Sequence, residues 1–91
     1  MTEALQWYLY VVECIDGTLY CGITTDVSRR IQEHNHSKRG AKYTRSRRPV
    51  HLIYTELHLD RSSASKAESS FKRLTRKQKI NKIRVADESD T

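Results

Sequence analysis

No apolar stretch in these 91 residues approaches the ~20 needed to span a bilayer, and the N-terminus lacks the charged-then-apolar pattern of a signal peptide. The two cysteines, Cys14 and Cys21, stand seven apart with no CxxC and no Cys/His spacing suited to zinc. That excludes a metal knuckle, leaves both thiols as small buried hydrophobes and implies a reducing, cytoplasmic setting. Apolar residues are scarce too, at 36% with a mean hydropathy of −0.78, so the core must be small and concentrated in a few periodic segments. There is no internal repeat, no low-complexity tract and no room for a second core, which predicts a single domain over residues 1–85. Residues 86–91 are acidic, lack large apolar side chains and are expected to fray.

Positive charge, by contrast, is abundant: the net charge is +6, which draws anionic partners, nucleic acid first among them. Between Arg29 and Arg48 there are eight basic residues, and Glu33 is the only acid; Lys72 to Arg84 has no acid at all. A charge run is ordinarily a solvated face. The first run, however, is interleaved with Gly40, Tyr43 and Ser/Thr residues, the make-up of a loop that tracks a phosphate backbone.

Trp7 to Cys14 is rich in aromatic and β-branched residues and reads as a strand, Ile15-Asp16-Gly17 as a turn, and Thr18 to Ile23 as a second strand. Asp26 offers a cap for a helix to about His34, with Val27 and Ile31 on one face. Asn35 to Pro49 has no period and reads as a long basic loop, the kind that is usually functional or disordered. Val50 to Glu56 forms a third strand. Asp60 caps a helix with apolar face Ala64, Ala67, Phe71 and Leu74, and Thr75 caps a last helix carrying Ile80 and Ile83. The order β-β-α-β-α-α predicts an α+β fold in which a mostly antiparallel three-stranded sheet is flanked by helices.

Tyr8-Leu9-Tyr10, then Tyr20-Cys21-Gly22, then Asp26 and Arg30, resemble the signature of the GIY-YIG nuclease superfamily. The first half reads YLY rather than GIY and the second YCG rather than YIG; both changes spare the functional tyrosines. Gly40 to Arg45 and the Asp60-Arg61-Ser62 helix start look like small stand-alone, single-domain members of that superfamily, and the likeness extends over roughly residues 7–83. The resemblance implies a hydrolase that cuts phosphodiester bonds, with Tyr10 as general base and Tyr20 positioning water or phosphate.

Hydrolysis of a phosphodiester needs a positioned water and neutralised phosphoryl oxygens. Arg30 suits the clamp, through its planar fork. Glu68 suits one Mg²⁺ or Mn²⁺ ion, since magnesium commonly binds through one or two carboxylates plus substrate phosphate. Taken alone, Glu68 could equally be a boundary carboxylate pairing with Lys72 at i+4. The tyrosines have a plain alternative in half-buried packing, and turn length arbitrates. A three-residue loop with Gly17 left-handed puts Tyr20 opposite Val12, on the face of Tyr10, whereas a two-residue loop separates the pair. For Tyr10 to act at neutral pH, neighbouring cations must favour phenolate, because tyrosine ionises near 10.

His34, one turn after Arg30, is a candidate for proton transfer, or else a helix-end histidine on the dipole. Gly22 allows close approach of backbone or substrate, or marks a bulge. Lys42, Tyr43 and Arg45 read as substrate contacts, Tyr43 stacking a base or sugar between two phosphate binders. Arg47 and Arg48 read as general electrostatics, while His36, His51 and His58 have no ligand spacing. The expected function is a metal-dependent endonuclease on nucleic acid, DNA before RNA, with no membrane partner. With no room for a recognition domain, cutting is structure-selective, weakly specific or directed by a protein partner; oligomeric state is not readable. A catalytically silent nucleic-acid-binding module is the alternative, and a protein adaptor using the sheet edge explains neither charge nor motif.

Overall fold

The computed structural model describes residues 6–89, with side chains through Ala86. Strands β1 (Trp7–Glu13), β2 (Leu19–Thr24) and β3 (His51–His58) form one antiparallel sheet in the order β2-β1-β3, so the strand richest in buried residues lies in the middle. Helices are α1 (Val27–His36), α2 (Lys42–Arg45), α3 (Arg61–Lys72) and α4 (Arg76–Ser89). The expected α+β order is therefore present. The single-turn α2 is an addition, formed inside the segment that lacks a helical period. Helix α4 also runs past Val85 to Ser89, while Asp90 and Thr91 lie outside the described residues. No helix among the described residues is long and apolar enough to cross a membrane.

Local chemistry sets the joints. The hairpin turns through Ile15-Asp16-Gly17: Gly17 has φ +82° and its N–H bonds the Cys14 carbonyl at 2.9 Å, so the loop has three residues. Asp26 accepts from the Arg29 N–H, and Asp60 from that of Ser63, each satisfying an orphan donor at a helix start. Thr75 and Gln78 exchange bonds in a capping box at the entry to α4.

The period of 2 in β1 divides the core into two layers. Leu9, Val11 and Cys21 pack with Phe71 of α3 and Ile83 of α4 on one face. Tyr10, Val12, Cys14 and Val50 pack with Tyr20, Val27 and Ile31 on the other, beneath α1. Both cysteines are free and buried, one in each layer. Polar ties hold the helices in place. Asn35 exchanges two bonds with the Val50 backbone, fixing α1 to the start of β3. On the opposite face Glu56 accepts from Tyr54 at 2.6 Å and pairs with His58 at 2.7 Å and Lys82 at 3.8 Å; His58 also meets Ser63 Oγ at 2.7 Å. Through these ties α3 and α4 dock on β3, and His58 has a structural role.

Candidate active site

Tyr10 and Tyr20 share a face because Tyr10 pairs with Gly22 and Val12 with Tyr20, the register a three-residue turn requires. Tyr10 is buried, at 1% exposure, and its ring lies over Gly22: a Cβ built there would stand 2.6 Å from the Tyr10 hydroxyl. Gly22 thus makes room for a tyrosine of the site. In the direction of a Cβ the space is already filled by that ring.

The residue that organises the face is His34, fully buried at the end of α1. Its Nε2 is 2.7 Å from the Tyr10 hydroxyl and its Nδ1 is 2.9 Å from Thr44 Oγ1. Thr44 donates its one hydroxyl proton to the Ala41 carbonyl at 2.9 Å, so toward the ring it accepts. Nδ1 then carries the proton and Nε2 presents its lone pair to the Tyr10 O–H; a longer 3.4 Å approach of the Ala41 N–H to Nδ1 competes. Burial, helped by the positive charges of Arg30 and Arg48 and opposed by Glu33, pulls the imidazole from 6.5 down to about 4, which keeps it neutral. The alternative of an exposed histidine on the helix dipole does not apply. The Tyr20 ring stands edge-on to His34 at 5.4 Å, placing the imidazole against both tyrosines.

Burial pushes the Tyr10 phenol from 10.0 up to about 12. Arg30 acts to lower it, while the charges of Tyr20 and Glu68 act to raise it. Arg30 thus acts in the direction expected of a neighbouring cation, but desolvation outweighs the guanidinium, and neutral Tyr10 is the resting form. The same interactions put Arg30, Tyr20 and Glu68 all within electrostatic reach of one hydroxyl.

Arg30 Nη1 bonds Glu33 at 3.0 Å and the Arg39 carbonyl at 2.8 Å, which aims the guanidinium from α1 into the site. Glu68 lies on α3, in the other layer; its carboxylate pairs with Lys72 at 3.6 Å and stays partly exposed. Among the described residues no three His, Cys, Asp or Glu side chains gather as a metal cage. A lone carboxylate fits a hydrated divalent ion completed by substrate phosphate, and the Glu68 charge is felt at the Tyr10 hydroxyl.

Lys42 and Arg45 project from α2 into solvent, with no side-chain hydrogen bond or ion pair among the described residues. Tyr43 is 39% exposed, but its ring is stacked with Tyr20 at 5.9 Å and covered by the Arg47 guanidinium at 3.9 Å. Arg47 also pairs with Asp16 at 3.0 Å, tying the hairpin tip to α2. Arg48 donates to the carbonyls of Glu33, His34 and Ser37, closing the end of α1. Neither arginine is the general electrostatics expected of it. Sequence reasoning does not find Thr44, Arg48 and Asn35 as positioning residues, because they lie where no local pattern marks a long-range partner.

The pattern of the GIY-YIG catalytic domain matches residues 6–81. A UPF0213 protein of Enterococcus faecalis is 58% identical over 81 residues, 87% of this chain and 91% of that one. A UPF0213 protein of Desulfotalea psychrophila is 51% identical over 86 residues, 94% of this chain and 78% of that one. The fold is similar to the solution NMR structure of an E. faecalis protein, with a TM-score of 0.65 and 48% identity over 96% of this chain and 92% of that one. The NMR structure of a UPF0213 protein from Bacillus halodurans aligns with a TM-score of 0.58 and 41% identity, covering 88% of this chain and 84% of that one.

Proposed function

Because the chain belongs to the GIY-YIG catalytic-domain family, in its small UPF0213 group, we propose that it is a metal-dependent endonuclease that hydrolyses phosphodiester bonds of nucleic acid, DNA in preference to RNA. The observation that carries this reading is the buried Tyr10–His34 pair, Nε2 at 2.7 Å from the hydroxyl, with Tyr20 edge-on to the imidazole and the charges of Arg30 and Glu68 both acting on the phenol.

Tyr10 is the proposed base for the attacking water. Because its phenol is neutral, it takes the water's proton as its own O–H proton passes to Nε2 of His34. Thr44 holds the imidazole in the accepting tautomer. Arg30 neutralises charge developing on the phosphoryl oxygens, and Tyr20 orients the water or the phosphate. Glu68 would hold the divalent ion, Mg²⁺ or Mn²⁺, which supplies Lewis-acid stabilisation when bound. Lys42 and Arg45 are proposed to bind phosphates, and the exposed cations Arg29 and Arg39 add to the charge that draws the polyanion in.

A catalytically silent binding module is the second reading, favoured by the engagement of Arg30 with Glu33 and of Glu68 with Lys72. The deciding experiment incubates purified protein with labelled single-stranded, duplex, branched and RNA substrates in Mg²⁺, Mn²⁺ or EDTA, with Glu68→Gln prepared in parallel. Cutting that requires metal and Glu68 supports the nuclease; binding without cutting in every lane supports the module.

A further inference from the structure

Among the described residues the outer edge of β2 has no strand partner, and there the two helical layers approach one another. Between them lies a cleft of about 230 Å³ lined by Leu19, Tyr20, Cys21, Tyr43, Phe71, Lys72 and Lys79. Tyr20 belongs to the catalytic face, Tyr43 to α2, and the two lysines to α3 and α4. The lining combines apolar Leu19, Cys21 and Phe71, a stacked tyrosine pair braced by Arg47, and two lysines. Lys79 Nζ lies 5.6 Å from the Phe71 ring and has no ion pair among the described residues. Lys72 pairs with Glu68, the carboxylate of the catalytic site.

Aromatic rings, apolar side chains and two ammonium groups around one cleft match one ligand chemistry: a planar heterocycle carrying a phosphate. The volume is below the about 300–1,000 Å³ of pockets for drug-sized molecules, so it takes one ring system and not a stacked pair. Building on the nuclease reading, we propose that this cleft is a subsite for a single unstacked nucleotide beside the scissile phosphate, its base against the Tyr20–Tyr43 pair and its phosphate on Lys72 and Lys79. A base held within a continuous stack cannot enter. The cleft therefore selects strands that can turn one base out, and Lys72 links the subsite to Glu68: a ligand drawing on either partner changes the charge the other faces.

The test is an abasic scan with the full-length Tyr10→Phe protein, which leaves the cleft residues intact. Single-stranded oligonucleotides lacking a base at successive positions along their length are bound at fixed salt. Base–aromatic stacking of about 1–3 kcal/mol predicts a loss of about 5- to 150-fold at one position and little elsewhere. In a Tyr10→Phe/Tyr43→Ala protein that positional loss should shrink. Lys72→Gln with Lys79→Gln should reduce the salt slope by roughly 0.7 for each single-strand phosphate left without its lysine. Circular dichroism shows whether each variant is folded. A flat scan, or a positional loss indifferent to Tyr43 and both lysines, overturns the subsite. Wild-type cutting alongside a flat scan overturns it while leaving the nuclease reading intact; a positional loss in a chain that never cuts upholds the subsite and overturns the nuclease.

Discussion

The hydroxyl of Tyr10 meets Nε2 of His34 at 2.7 Å, across 24 positions of sequence and with both side chains almost fully buried. Such a pairing leaves the phenol's proton a direct acceptor. On the proposed mechanism Tyr10→Phe, which deletes the oxygen and keeps the ring, should lower kcat by about 10²–10⁴-fold while leaving nucleic-acid affinity near wild type. Single-turnover cleavage and a filter-binding isotherm on the same preparation measure the two. Loss of affinity equal to the loss of rate would place Tyr10 in binding instead.

The depressed imidazole of His34 fixes the direction of a pH effect. Its folded value of about 4 lies below the unfolded 6.5, so the unfolded chain holds the proton more tightly. The stability this difference governs is fully present above about 6.5 and is lost as pH falls through the window down to about 4. Urea midpoints measured across that window and above it should decline toward the acid end, and His34→Gln should flatten that part of the curve. An unchanged curve would mean that the imidazole charges without cost in the folded chain.

At Glu68 the outcome depends on charge rather than shape. Glu68→Gln should reduce cleavage by about 10²-fold or more, with nucleic-acid binding retained or slightly tighter because a negative charge has left the site. Melting temperature with and without Mg²⁺ gives a readout independent of turnover, since a ligand that binds only the folded state raises stability. A variant that cuts at the wild-type rate, or wild-type cleavage that persists in EDTA, removes the metal from Glu68.

Gly22→Ala tests packing beneath the site. The added methyl would sit 2.6 Å from the Tyr10 hydroxyl and 2.8 Å from its Cζ, so the ring must shift and its contact with His34 is disturbed. A cost of about 1–3 kcal/mol is expected, read from urea denaturation, together with a lower kcat. Normal stability and rate would show that the ring has room to move.

Lys42 and Arg45, whose side chains have no partner among the described residues, should act through phosphate alone. Replacing both with Gln should weaken duplex binding and reduce the salt slope by roughly 0.9 for each phosphate left without its cation. Affinity unchanged at low salt would leave them a solvated charge run.

Much of this architecture is written locally. Gly17 can take a positive φ, which sets the length of the turn, the turn sets the register, and the register puts Tyr10 and Tyr20 on one face. Asp26, Asp60 and Thr75 cap the helices they precede because each cap acts within three residues. The ordered tyrosines, Arg30 and Glu68 are legible for the same reason, as positions on elements whose periods are visible in the chain. Tertiary structure decided how those side chains are used. Whether Gly22 has a tyrosine ring over it, whether His34 is exposed or neutral and buried, and whether Arg48 is general electrostatics or closes the end of α1 all depend on segments 10 or more positions apart. The sign of the Tyr10 shift was decided there as well, because desolvation is set by everything packed around the hydroxyl, whereas the sequence displays only the nearby cation.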